Sequence, residues 1–311
     1  MDVQDKKLLF IFNPNAGKGK IRGNVSGILD IMTKAGYEVT AYPTQKKGDG
    51  HDRVFRKGHC YDLIVCAGGD GTMDEVVSGV IESGCAVPIG YIPTGSTNDF
   101  ASSLQIPKDI LRSAQIAVSG RRFVCDIGVF QNRHFVYVAA FGAFTEVSYG
   151  TSQGMKNNLG HFAYILSSVP ALAQIKAYEI NISVDDELFD GEFIYGMVTN
   201  SESVGGVKGI TGRQIDLQDG LFEVTLVRRP KNPSELASIV TSLLAGETST
   251  EKLIFRKASH VVFHFHQETS WTLDGEYGGT YKTVEITNAH GAVEIMVPTK
   301  PLPESEEEIE A

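Results

Sequence analysis

The chain has 311 residues, 42% hydrophobic and 21% charged, with a formal net charge of −10. That balance suits a folded, water-soluble protein of one large or two ordinary domains, and with no basic stripe interleaved with aromatics no nucleic-acid partner is expected. The longest apolar runs, such as "LLFIF" at 8–12, fall far short of the roughly 20 residues a transmembrane helix needs. The opening "MDVQDKK" lacks the ordered features of a secretion signal. Cys60, Cys66, Cys85 and Cys125 form no CxxC pair and read as reduced core thiols of a cytoplasmic protein.

In chain order, strands are expected at "LLFIFNP" (8–14), "YEVTAYPT" (37–44), "DLIVCAGG" (62–69) and "PIGYIP" (88–93). Between them fall an amphipathic stretch at 23–36 and a helix from about Thr72 to Ser83, with Val76, Val77, Val80 and Ile81 on one face. Continuous apolar strands alternating with helices predict a parallel sheet covered on both faces. Ligands of such sheets bind beyond the carboxyl ends of the strands, where "NPNAGKGK", "GGDGT" and "PTGSTNDF" fall.

After "RRFVCDIGVF" (121–130) the rhythm becomes strand and hairpin, predicting a mostly antiparallel β domain. In "EINISVDDELFDGEFIYGMVTNS" (179–201) strands are expected on either side of an Asp-Asp turn and an Asp-Gly, and "GLFEVTLVRR" (220–229) continues the alternation. "NPSELASIVTSLLAGE" (232–247) carries helix start and stop signals. "SHVVFHFHQE" sets His260, His264 and His266 on one face of a strand and Val261, Phe263 and Phe265 on the other. This is the polar face of a half-buried strand and not a metal site. The expected divisions are a nucleotide-binding domain over 1–125, a β-rich domain over 126–290, a terminal strand and return segment over 291–303, and an acidic disordered tail over 304–311.

In a loop following a buried strand, glycines let backbone N–H groups approach an anion, and the start of the next helix faces the same point. Gly68, Gly69, Gly71 and Thr72 therefore form a credible phosphate cradle, although neither GxxxxGK[ST] nor GxGxxG occurs. Asp70 inside that cradle would repel phosphate unless a metal ion bridged the two, so it points to Mg²⁺ with a nucleotide.

"NPNAGKGK", "GGDGTMDEVVSG", "PTGSTNDFA" and "LDGEYGG", in this order between residues 13 and 279, together resemble the diacylglycerol kinase catalytic family, in particular its soluble bacterial lipid kinases. The resemblance implies an N-terminal Rossmann-like α/β domain akin to those of phosphofructokinase and NAD kinase. It further implies a C-terminal mostly antiparallel β domain and an active site in a cleft where ATP meets a lipid hydroxyl.

Carried over, Asn13, Pro14, Asn15, Ala16, Gly17, Thr44, Gly69, Asp70, Gly71, Thr72, Met73, Asp74, Glu75 and Ser96 would form the ATP site, with Lys18 adding positive charge. Glu276 would be the catalytic base with Asp274 its nearer rival, the two pointing to one side of an extended strand, while Asp99 would face the phosphates or hold its loop. "DLQDGLFEV" resembles a structural Mg²⁺ loop, with the Asp219 carboxylate joined by backbone carbonyls of Asp216 and Leu221. Two positions depart from the family pattern, Asp74 in place of an asparagine and Ser102 in place of an arginine.

The function implied is an ATP- and Mg²⁺-dependent kinase of a lipid hydroxyl, with diacylglycerol the expected acceptor. Its alternatives are another acceptor, NAD or a different lipid, and a non-catalytic nucleotide- or lipid-binding regulator. The expected partners are ATP, a lipid substrate at the inner membrane surface and, through exposed antiparallel edges, a second copy of the chain. Lys46, Lys47, Arg53, Arg56, Lys57 and "RRPK" from Arg228 are the basic groups that could meet anionic headgroups.

Overall fold

The computed structural model describes residues 6–143, 175–208, 215–245 and 250–299. It divides into two compact units, the first made of Met1–Ser96, Ala101–Phe123 and Glu294–Ala311, the second of Thr97–Phe100 and Val124–Val293. The acidic tail lies outside the described residues.

In the first unit β1 (Lys6–Phe12), β2 (Tyr37–Pro43), β3 (Leu63–Gly68) and β4 (Ile89–Pro93) pair in parallel in the order β2, β1, β3, β4. Every residue of β3 and β4 is buried, which is why these strands read as unbroken apolar runs. Helices α1 (Val25–Lys34), α2 (Asp49–Lys57), α3 (Asp70–Ser83), α4 (Asp99–Ser103) and α5 (Ile110–Ser119) follow in sequence, Asp99 and Phe100 of α4 counting with the second unit. Leu8, Phe10 and Val65 of the sheet share a core with Ile28 and Met32 of α1 and Ala114 and Ala117 of α5.

Two details differ from expectation. Helix α3 starts at Asp70, two residues early, because extended Gly69 serves as its N-cap, and it stops at left-handed Gly84. Helix α2 occupies a stretch that reads as charged loop, since the side chain it buries is that of Val54. Both of its arginines have local partners: Arg53 lies 5.0 Å from the Tyr42 ring centroid and donates to the Tyr61 hydroxyl, and Arg56 pairs with Asp52.

The second unit is antiparallel, as expected. Its elements are β5 (Arg121–Phe130), β6 (Arg133–Phe135), β7 (Val138–Gly142), β8 (Tyr178–Val184), β9 (Glu187–Thr199), β10 (Ser203–Val204), β11 (Val207–Lys208), β12 (Phe222–Arg228), α6 (Pro233–Ala245), β13 (Leu253–Ala258), β14 (His260–Leu273) and β15 (Glu276–Val297), with the start of β5 to Phe123 and the end of β15 from Glu294 belonging to the first unit. Asp185 and Asp186 turn the chain between β8 and β9, but Asp190-Gly191 does not: pairing with β8 runs through it, with Gly191 at φ 118°. Val261, Phe263 and Phe265 are buried while His264 and His266 are exposed, the alternation read from the sequence.

No separate strand begins at residue 291. β15 is one strand of 22 residues, and its last part, at Ile295 and Met296, pairs in parallel with β4. Cys66 and Cys125 are buried, which pushes their thiols up, whereas Cys60 is exposed and Cys85 half-buried. Cys60 closes a short 3-10 turn and is not on a core strand.

The core of the second unit centres on Trp271, fully buried with Phe141, Phe263 and Phe130 at ring distances of 4.9, 5.0 and 5.2 Å. Trp271→Ala is expected to cost about 3–5 kcal/mol, measured as a lower urea midpoint for loss of near-UV dichroism.

Candidate active site

The loops of the first unit gather at the carboxyl edge of its sheet. Asn13 N donates to Ala67 O at 2.9 Å, Thr44 N to Phe12 O at 2.9 Å and Thr94 N to Gly68 O at 2.8 Å, so the residues that follow β1, β2 and β4 are each tied to the end of a neighbouring strand. The backbones approach so closely that a Cβ on Gly17 would lie 2.0 Å from the Thr94 carbonyl oxygen, and one on Gly69 3.3 Å from Gly95 Cα. Gly17 also holds φ at 55°, a conformation that favours glycine.

Arg22, which the sequence did not single out, braces the first loop through Pro14 O at 2.9 Å and Asn15 Oδ1 at 2.7 Å. Asn13 Oδ1 accepts from Asn15 N, and Ala16 and Gly17 lie in the short turn Ala16–Gly19. The Lys18 side chain lies outside the described residues. Ser96 is exposed, and Thr94, also missed, buries a hydroxyl that has no hydrogen-bond partner among the described residues. A buried hydroxyl of this kind at the meeting point of three glycine loops fits a ligand rich in acceptor oxygens.

Asp70 is buried as the first residue of α3, where the helix terminus favours negative charge. Gly71, Thr72 and Asp74 are half-buried beside it. The side chains of two neighbours are engaged within the unit. The Met73 side chain is in the core, and its N–H is bound to Gly69 O. Glu75 turns away to cap α2, its two oxygens accepting from Gly48 N at 2.7 Å and Gly50 N at 3.0 Å, donors that a helix start leaves without intrahelical partners.

In the second unit Asp99 is 1% exposed and accepts hydrogen bonds from Ser203 Oγ and, at 2.8 Å, from Gly206 N. Asp274 and Gly275 form the two-residue turn between β14 and β15, both at positive φ, the primed hairpin geometry. Asp274 and Glu276 therefore do not share the face of an extended strand. Asp274 points inward, accepting from the backbone N–H groups of Val136, Tyr137 and Val138 at 2.7, 3.0 and 2.9 Å, while Glu276 opens β15 and is exposed.

The segment Thr199–Ser203, buried except at Glu202, links these acids. Thr199 Oγ1 and Asn200 N both donate to Tyr137 O, next to the donors of Asp274, and Ser203 serves Asp99. Asn200 Nδ2 donates to the main chain of Asp126. Asp126, fully buried, brackets the loop before β12: its N–H donates to Leu217 O and its Oδ2 accepts from Gly220 N, while Oδ1 accepts from Gly291 N at 2.8 Å and lies 2.9 Å from His290 Nδ1. None of Asp126, Asn200 and Ser203 stands out in the sequence, where "TNSES" signals only a polar loop.

The expected Mg²⁺ loop has its carboxylates engaged. Asp216 Oδ1 accepts from Gln218 N, Asp219 Oδ1 accepts from Leu221 N, and Asp219 Oδ2 lies 2.8 Å from Lys257 Nζ. Among the described residues no group of three metal-type side chains gathers. Neighbouring Glu223 is buried, which pushes its pKa up to about 7 against the opposing effect of Lys257.

Folded and unfolded chains thus differ in protonation between the ordinary carboxylate range and about 7. The unfolded chain releases the proton first, so stability falls as pH rises through this window. Glu223→Gln is expected to flatten that fall by up to about 3 kcal/mol, read from urea midpoints between about pH 5 and about pH 8.

The chain thus joins glycine loops at the carboxyl edge of a parallel sheet to an antiparallel unit that holds acids inward. The sequence matches the family model of the diacylglycerol kinase catalytic domain over residues 7–130 and that of the YegS C-terminal NAD kinase beta sandwich-like domain over 140–297. A diacylglycerol kinase of Staphylococcus epidermidis is 35% identical over 295 residues, 94% of this chain and 92% of that one. Another from Staphylococcus aureus strain MRSA252 is 36% identical over 276 residues, 88% and 87% of the two chains. The crystal structure of a diacylglycerol kinase from Bacillus anthracis str. Sterne shares the fold, with a TM-score of 0.74 at 20% identity over 94% of this chain and 97% of that one. The chain belongs to the diacylglycerol kinase family, and with it to the lipid kinases.

Proposed function

We propose that the protein transfers the γ-phosphoryl group of ATP, with Mg²⁺, to the free hydroxyl of diacylglycerol, giving phosphatidic acid and ADP. The observation that carries this reading is the convergence of the three glycine loops around Gly17, Gly69 and Thr94, with Asp70 at the start of α3. Segment 1–125 takes the nucleotide in this reading and 126–290 the acceptor. The relatives named as diacylglycerol kinases support the choice of acceptor.

ATP with Mg²⁺ supplies the transferable phosphoryl group and part of the charge neutralisation. The chain does the rest. Backbone N–H groups of Gly17, Gly69 and Gly71 and the Thr94 hydroxyl receive phosphate oxygens; Asp70 is the acid of the first unit suited to hold the metal, and Asp99 that of the second. Glu276, exposed at the start of β15, accepts the proton of the acceptor hydroxyl as its oxygen forms the new bond to phosphorus. Asp274, held by three backbone donors, fixes the turn that presents Glu276.

Incubation with labelled ATP and Mg²⁺ is expected to place label in diacylglycerol presented in mixed micelles. Label in NAD and none in lipid would overturn the reading. Asp70→Asn and Glu276→Gln are each expected to lower kcat at least about 100-fold, with Glu276→Gln retaining ATP binding by calorimetry. Ser203→Ala, which withdraws a hydrogen bond from Asp99, is expected to raise the Mg²⁺ concentration for half-maximal rate, and Ser203→Thr to restore it.

A further inference from the structure

The loop before β12 resembles a place for a structural metal, yet its geometry is complete without one. Asp126 fixes it from one side through Leu217 O and Gly220 N. On the other side stands a lysine. Strand register sets Lys257 of β13 directly opposite Glu223 of β12, and its ammonium reaches Asp219 Oδ2 at 2.8 Å and Glu223 Oε1 at 3.4 Å. Among the described residues no other cation pairs with either carboxylate.

We infer that the ammonium of Lys257 is the resident cation of the 216–221 loop, occupying in this chain the position a divalent ion would take. A divalent ion needs several oxygen ligands and neutralises negative charge. The one side-chain carboxylate suited to it here, Asp219, already carries a positive charge at contact distance, so an incoming ion would meet repulsion before it met a ligand set. Moving Lys257 aside would also leave buried Glu223 without its counter-charge, and a buried carboxylate stripped of its partner is strongly disfavoured. Both effects favour the lysine over the ion.

The inference concerns the nucleotide-free protein and is independent of turnover and acceptor. It is tested by counting bound Mn²⁺ per chain, by paramagnetic resonance of the free ion, in wild type, Asp219→Asn, Lys257→Met and the double variant. Asp219→Asn is expected to leave the wild-type count unchanged, Lys257→Met to gain one ion per chain, and the double variant to lose that gain. The melting temperature of Lys257→Met is further expected to rise with added Mg²⁺, a rise absent in the double variant. Loss of one ion from wild type on Asp219→Asn would overturn the inference, as would a Lys257→Met protein that folds and gains none. Should Lys257→Met fail to fold, the comparison of wild type with Asp219→Asn decides alone.

Discussion

Parallel strands end on the same edge of their sheet, and in the first unit this constraint shapes everything that bears on chemistry. β1 to β4 deliver four consecutive carboxyl ends to one place, so the residues that follow them must share it. Sharing is possible only because glycines stand where main chains touch. Gly17 against the Thr94 carbonyl is the tightest such contact, and any side chain there would force two of the loops apart. With the loops packed this closely, the start of α3 brings its positive end and Asp70 to the same edge without further machinery.

The second unit solves a different problem, that of holding carboxylates inside a β structure. Asp99, Asp126 and Asp274 are each satisfied by main-chain donors, in two cases with a side chain added. Backbone N–H groups cannot swing away, so acids held in this manner keep their orientation better than acids paired with long flexible side chains. Thr199–Ser203 gives these arrangements a common anchor. Asp219 is the exception, meeting a lysine instead.

Much of this was legible in the sequence, and the rest was hidden for identifiable reasons. The buried strands of the first unit, the antiparallel second half and the glycine loops announce themselves through periodicity and glycine placement, signals carried by the chain locally. Helix α2 was hidden because its face toward the core is a single valine. Glu75 was assigned with its loop because proximity in sequence does not reveal which way a helical side chain turns. Asp274 and Glu276 look equivalent two residues apart, and only the positive φ at Asp274 and Gly275 separates an inward acid from an outward one. Asp126 and Ser203 act through partners distant in sequence, 94 and 104 residues away, which no local pattern can disclose.

The length of β15 bears on how the protein is made. Ile295 and Met296 close the β4 side of the first unit's sheet, yet they are the last residues of a strand whose first belong to the second unit. A chain emerging in order from the ribosome therefore forms β1 to β4 with one edge unpaired and fills that edge only after nearly the whole second unit has been synthesised. An open edge of buried, apolar strand is a template for unwanted pairing, and contacts this distant in sequence form slowly. The interval between the synthesis of β4 and that of Ile295 is thus the stage at which the first unit is most exposed to misassembly and most in need of chaperone protection.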